Sequence, residues 1–153
     1  MKGHDKPNLD SKTCDGDFTE RLETLRAEYP VFLLGGVRFK YQPVRSGRSA
    51  EQDLMLGKQR CDAVVVTGTG TGISTELEKI RFFREKLGDF PLIVGAGLTE
   101  ENCREQLSIA DGAIIGTWFK RDGITEVPVD PERVRCFMEI VKEVRETEKE
   151  KTT

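Results

Sequence analysis

Histidine is nearly absent from this chain. Its one copy, His4, stands in a polar segment near the start. The four cysteines, Cys14, Cys61, Cys103 and Cys136, are widely separated and form no CxxC pair. A metal site needs clustered ligands, so none is expected, and no cofactor is implied. The thiols are expected to be reduced and packed as small hydrophobes. No apolar run approaches the roughly 20 residues of a membrane-spanning helix. An excess of positive charge is missing too: 24 Lys and Arg against 27 Asp and Glu leave a net −3. That is the wrong balance for a general nucleic-acid binder. The opening MKGHDKPNLDSK has neither an apolar core nor the acid-poor, Arg-rich pattern of a transit segment. The expectation is a soluble protein without a leader, in the cytoplasm.

What is present suits one globular domain: 153 residues, 37% hydrophobic and 33% charged. Residues 1–16 read as a flexible lead-in. From Asp17, DFTERLETLRAEY has the spacing of a helix, with Asp17 as N-cap and Glu20 at the third helical position. VFLLGGVRF reads as a buried strand and KYQPVRSGRS as a loop. SAEQDLMLGKQR reads as a short helix opened by a Ser49–Gln52 capping box. DAVVVTG is a strand whose continuous apolar residues predict cover on both faces. STELEKIRFFREKLG is a helix with a Thr75–Glu78 capping box, a stripe of Leu77, Ile80, Phe83 and Leu87, and Gly88 as its stop. PLIVGAG is a strand, TEENCREQL a helix capped by Thr99, DGAIIGT a strand and WFKRDGITEVPV a loop. A final helix starts at Asp130-Pro131 and carries Val134, Phe137, Met138, Val141 and Val144 on one stripe. Its charged end, 146–153, reads as a fraying tail.

One helix followed by four βα units predicts an α/β fold with a parallel sheet and right-handed crossovers. Two architectures fit: an open doubly wound sheet, or part of a (β/α)₈ barrel, which is complete at about 250 residues. The glycines of VVVTGTGTG bear on the choice. A dinucleotide fold would place GxGxxG after its first strand and an acid about 20 residues on. Here the spacing is GxGxG, it follows the second strand, and PLIVGAG ends without an acid. In the barrel reading, the strand ends form a mouth where glycine lets backbone amides approach an anion. Gly95, Gly97, Gly116 and Thr117 are the candidate phosphate cradle, with a helix starting at Thr99 to add its dipole. Tight turns alone would also explain these glycines. Thr67 and Lys40 are the candidates to face a substrate, and Arg38, Gly68, Gly70, Gly72 and Lys120 are further mouth-loop candidates. Only one of Arg38 and Lys40 is expected to face inward. Asp62 and Asp111 precede their strands and read as turn residues. No acid–base pair is visible, so catalytic residues stay unassigned.

Four segments in order, DAVVVTGTGTG, LIVGAGLTEEN, ADGAIIGTWFKRDG and PVDPERVRCFM, resemble the BtpA family, over about residues 17–145. That family is named for a protein needed for photosystem I biogenesis or stability, with other members in organisms without photosynthesis. The resemblance implies a TIM-type barrel, of which this chain matches the second half, strands five to eight. It also implies two departures. The family strand matching VFLLGGVRFKY carries an Asp and a His, where this chain has Gly36 and either Arg38 or Tyr41. Ala96 replaces a Ser in the glycine turn. A half barrel would leave two open edges, so self-association, or a chain supplying the missing half, is expected beside a phosphorylated small molecule. The competing readings are a non-catalytic assembly factor and a truncated member without activity.

Overall fold

The structure, a computed structural model, describes residues 14–152. His4 and most of the expected lead-in lie outside them. The elements are helix α1 (Cys14–Glu28), strand β1 (Leu34–Gly36), α2 (Ala50–Arg60), β2 (Ala63–Val66), α3 (Leu77–Leu87), β3 (Leu92–Val94), α4 (Cys103–Leu107), β4 (Gly112–Ala113) and α5 (Pro131–Thr152). Two single 3₁₀ turns, Thr117–Phe119 and Arg121–Gly123, lie between β4 and α5. All strand pairs are parallel, and the sheet order is β1-β2-β3-β4. The fold is therefore α/β with an open, all-parallel sheet of four strands. A doubly wound sheet would reverse its strand order partway across; this one does not, and VVVTGTGTG does not sit at such a reversal.

Several local expectations hold. The Ser49 hydroxyl accepts from the Gln52 amide at 3.2 Å and the Gln52 side chain accepts from the Ser49 amide at 2.9 Å. Asp130 takes the Glu132 amide at 2.9 Å at the head of α5. Others are corrected. Asp17 lies inside α1, which opens at Cys14. The Thr75–Glu78 box does not form: Glu76 is the N-cap, and the buried Thr75 hydroxyl donates to the Ala96 carbonyl at 3.2 Å. A tertiary partner has taken the cap. Helix α4 begins at Cys103, so Thr99 heads a turn instead of a helix. Helix α5 continues to Thr152, through the stretch read as a fraying tail.

Sequential order with right-handed crossovers puts the helices on one face of the sheet. On that face Val64, Val66, Leu92 and Val94 pack with Leu54, Ile80, Phe83, Leu87 and Phe137 in a single buried cluster. The opposite face carries Leu34, Gly36, Ala63, Val65, Ile93, Gly112 and, two residues on, Ile114, as the strand register dictates. Phe39 folds back over Gly36, where a Cβ would lie 2.6 Å from its ring. At the two edges Leu34 is 44% exposed and Ile114 is 48% exposed.

The bottoms of the strands are tied by a device that occurs twice. Asp62 Oδ2 accepts from the Leu33 amide at 2.7 Å, its own amide donates to the Leu33 carbonyl at 2.9 Å, and Arg26 of α1 bridges Asp62 and the Arg60 carbonyl. Asp111 Oδ2 accepts from the Leu92 amide at 2.8 Å, its amide donates to the Leu92 carbonyl at 2.9 Å, and Arg84 of α3 bridges Asp111 and the Ile109 carbonyl. In both, the bridged carbonyl lies two residues before the aspartate. The segment α1-β1-α2-β2 is thus repeated as α3-β3-α4-β4, and both aspartates are strand-entry residues, as their positions suggested.

Two measurements test this frame. Phe137→Ala should cost about 3–5 kcal/mol, the usual range for emptying a buried aromatic site, read from urea unfolding. The Leu33 amide, with Arg26, holds the Asp62 carboxyl below the usual carboxylate range. A depressed carboxyl adds stability that is present above its unfolded value, about 3.9, and is lost as pH falls through the folded value. The melting-temperature gap between the parent chain and Asp62→Asn should therefore be open at pH 7 and shrink below about pH 4. A gap that is constant with pH would contradict this.

Candidate functional site

The C-terminal ends of β2, β3 and β4 and the loop after β1 surround a cavity of about 410 Å³. Its walls include Lys40, Thr71, Gly72, Gly95, Gly97, Thr99, Gly116, Thr117 and Trp118. The structure so brings together Lys40, Gly72, Gly95, Gly97, Gly116 and Thr117 from the sequence-based set. Their individual roles differ from expectation.

The Gly95 amide donates to the Val66 carbonyl at 2.7 Å and is spent in the sheet. By contrast, among the described residues no backbone hydrogen bond uses the amides of Gly97, Gly116 or Thr117. Gly97 has φ +70°, and a Cβ there would stand 2.2 Å from the Ile73 carbonyl oxygen, so only glycine fits. Asn102 holds this turn in shape. Its Oδ1 accepts from the Thr99 amide at 2.9 Å, and its Nδ2 donates to the Gly97 carbonyl at 3.0 Å and to the Ser74 hydroxyl at 3.1 Å. Gln106, buried, donates to the Ser74 hydroxyl and the Thr75 carbonyl, both at 3.1 Å. The loops after β2 and β3 are thereby joined. Neither Asn102 nor Gln106 was singled out by sequence reasoning; the one trace of them was the place of Asn102 in LTEEN.

Lys40 is the cation of the cavity. Its amide donates to Thr67 Oγ1 at 2.8 Å, and its Nζ donates to Thr71 Oγ1 at 3.3 Å. Thr67 itself is fully buried beneath the mouth. It holds the Lys40 backbone and does not line the cavity, so its expected contact with substrate is replaced by support. Tyr41 accepts from the Thr71 amide at 2.7 Å, and the Thr71 hydroxyl and amide, with the Lys40 charge nearby, hold the phenol below its ordinary value. Lys79, also missed in the sequence, reaches up from α3 and donates to the Thr67 carbonyl at 2.7 Å and the Arg38 carbonyl at 3.3 Å. Its partial burial pushes its ammonium pKa down.

Arg38 turns away from the cavity. Its Nε donates to Asp53 at 3.0 Å and its Nη2 to the Arg48 carbonyl at 2.9 Å. Partial burial opposes ionisation of Asp53, but the hydrogen bonds from Arg48 and Arg38 outweigh it and leave that carboxyl lowered. So of Arg38 and Lys40, Lys40 faces the mouth. Gly68 and Gly70 pack against Ser74 and Ile73. Lys120 pairs by backbone with Val129 and does not line the cavity. Trp118 forms a wall, with the Arg133 guanidinium 4.1 Å from its ring centre and Arg133 Nε donating to its carbonyl at 2.6 Å.

The lining residues include one cation and no carboxylate, imidazole or thiol. Such a wall can hold an anion but offers no acid–base pair from this chain. Among the described residues, no three His, Cys, Asp or Glu side chains cluster as a metal site requires. No helix among them is long and apolar enough to cross a membrane.

Comparison with known proteins matches the BtpA family over residues 47–143. The chain is 43% identical over 86 residues to an uncharacterised protein of Thermococcus kodakarensis, covering 56% of this chain and 33% of that one. It is 38% identical over 128 residues to an uncharacterised protein of Pyrococcus abyssi, covering 81% and 48%. It is 39% identical over 84 residues to the putative sgc region protein SgcQ of Escherichia coli K12, covering 55% and 31%. The matched stretch thus spans between about a third and a half of these relatives. No solved structure matches the chain.

A pair of glycine variants tests the geometry of the mouth. Gly97→Ala should destabilise the chain by about 1–3 kcal/mol, because the methyl group meets the Ile73 carbonyl in a left-handed backbone. Gly116→Ala, where a Cβ meets nothing within 4 Å, should stay within about 0.5 kcal/mol of the parent. Thermal melts of both variants read the difference.

Proposed function

The chain belongs to the BtpA family, and on that premise we propose that its mouth cavity binds a phosphorylated small molecule. One observation carries the reading. Lys40 stands in the cavity wall with no carboxylate partner among the described residues, while the nearby Gly97, Gly116 and Thr117 amides have no backbone acceptor. An uncompensated cation beside unused donors suits an anion, which supplies charge and several acceptors at once. The hydroxyl of Thr71 adds a donor at the same rim.

The cavity volume exceeds what a bare phosphate needs, and Ile114 and Trp118 give it an apolar side. The ligand is therefore read as a phosphate ester with a compact body, its phosphate toward Lys40 and the glycine turns. Lys40 acts as the electrostatic anchor, Thr67 and Lys79 as the supports that fix its backbone, and Asn102 as the brace of the Gly97 turn. Chemistry beyond binding would need an acid or base from the substrate or from another chain.

A second reading, an assembly or maintenance factor of the sort the family is named for, is favoured by a different observation. Val31, Phe32 and Leu34 run exposed along the β1 edge, with Phe32 at 70% exposure. A contiguous apolar edge suits a protein contact.

Isothermal titration with a panel of sugar and nucleoside phosphates tests the first reading. At least one phosphate ester should bind, and its unphosphorylated parent should bind at least tenfold more weakly. Lys40→Ala should weaken the ester by about tenfold or more, while Arg38→Ala, whose side chain points to Asp53, should change it less than threefold if the chain remains folded. Equal binding by the parent chain and Lys40→Ala would remove the anchor and with it the reading.

A further inference from the structure

We propose that a second copy of this chain docks on the open sheet, its β1 pairing with β4 of the first, so that two copies close an eight-stranded barrel. The inference does not depend on what the cavity binds. It rests on the internal repeat. The doubled aspartate device makes β1 equivalent to β3, with Leu33 matching Leu92, and β2 equivalent to β4, with Asp62 matching Asp111. The equivalence reaches the mouth: five residues beyond Leu33 and Leu92 stand Arg38 and Gly97, and both have positive φ, +46° and +70°.

Within the chain, β2 receives β3 in a defined register: Val64 opposite Leu92 and Val65 opposite Ile93. Strand β4 is the second β2, yet its outer edge receives no strand among the described residues. Strand β1 is the second β3, and the edge it would turn to a β2-like neighbour is also free. Transferring the register sets Ala113 opposite Leu33 of the other copy, and Ile114 opposite its Leu34. The pleat agrees. Val65 and Ile93 both face away from the helices, and so do Ile114 and Leu34. The latter two are the half-exposed apolar residues of that face, at 48% and 44%.

A twofold axis along the strands satisfies both free edges at once, because β4 of each copy meets β1 of the other in parallel. Four and four give the eight strands at which a barrel interior is just filled by side chains. Each copy brings Leu34, Ala63, Val65, Ile93 and Ile114 to that interior. The edges are flanked on the helix side by grooves: about 450 Å³ beside β1 and about 530 Å³ between β4 and α5, the latter lined by Ala113, Ile115, Phe137 and Met138. A second copy covers both, since α1 of one stands beside α5 of the other. Closure also brings the Arg38–Lys40 turn of the second copy next to Gly116 and Thr117, just as the Gly97 turn lies against the loop after β2. The cavity then has a wall from each chain.

Sedimentation and light scattering at tens of micromolar should give a particle of about 34 kDa, twice the 17.2 kDa chain. Ile114→Asp and Leu34→Asp should each return it to one chain's mass with the circular dichroism of the parent chain retained. Glu78→Lys, exposed on α3 between the two inner strands β2 and β3, should leave the pair intact. In a Leu34→Cys, Ile114→Cys double variant, oxidation should link two chains, and neither single variant should do so to the same extent. A parent chain that stays monomeric, open-ended larger assemblies, or a pair indifferent to Asp at both seam positions would each overturn the proposal.

Discussion

The constraint on which this structure turns is the sequential order of its parallel sheet. Each right-handed crossover returns the chain to the same side, so three crossovers in one direction load the connecting helices onto one face. That face gains the whole aliphatic cluster from Leu54 to Val141. The other is left to glycine, alanine and a few branched residues whose cover must come from elsewhere. The same rule sends every strand end to one rim. The cavity at Lys40 and Gly97 is a by-product of this topology, because loops after four successive strands have nowhere else to meet.

At that rim, position is set from below. Lys79 ties the last carbonyl region of β2 to the Arg38 carbonyl, Thr67 catches the Lys40 amide, and Thr71 meets the Lys40 ammonium. A flexible lysine is thus given a fixed root and one hydroxyl partner, but no counter-charge. Lys79 bears the desolvation cost of this arrangement, and it is offset by two carbonyl acceptors. On the neighbouring loops the corresponding work falls to neutral groups: Asn102 braces the Gly97 turn, and Gln106 holds Ser74 and Thr75. Buried amides can satisfy several backbone groups without the penalty of a second buried charge.

The sequence made the parallel architecture legible because period, caps and glycine stops all agreed, most clearly from Leu77 to Gly88. Arg38 and Lys40 lie beyond the end of β1 at Gly36, in a turn that strand period does not govern, so spacing gave no guide to which would face inward; Asp53, fifteen residues on, decides it by pairing with Arg38. Thr75 has the pattern of a cap and Gly95 the look of an amide donor, and each is claimed instead by a group distant in sequence, Ala96 and Val66 in turn. Thr99 has the pattern of another cap, but its amide is taken by Asn102 within the same turn. Strand ends are where loops from different units compete for the same polar atoms, so local spacing is least informative where the site is built. The repeat was hidden for a similar reason. Its signature is an aspartate, an arginine and two backbone groups, with different loop lengths between them.

The repeat also explains why the two glycine-like turns have diverged. Arg38 and Gly97 occupy the same place in their units and share a positive φ. At Gly97 the absence of a side chain lets the Ile73 carbonyl approach closely, leaving the turn thin enough to line a cavity. An arginine at +46° is strained by about 1–3 kcal/mol, and that conformation is held by Lys79 on its carbonyl and by Asp53 and the Arg48 carbonyl on its guanidinium. The strain has a consequence that a glycine would not produce. Because the Arg38 guanidinium is drawn outward, the chain direction after it carries Lys40 to the rim, where Thr67 receives it. One unit has the thin turn, the other uses its turn to deliver a charge, and the anion site we propose rests on both.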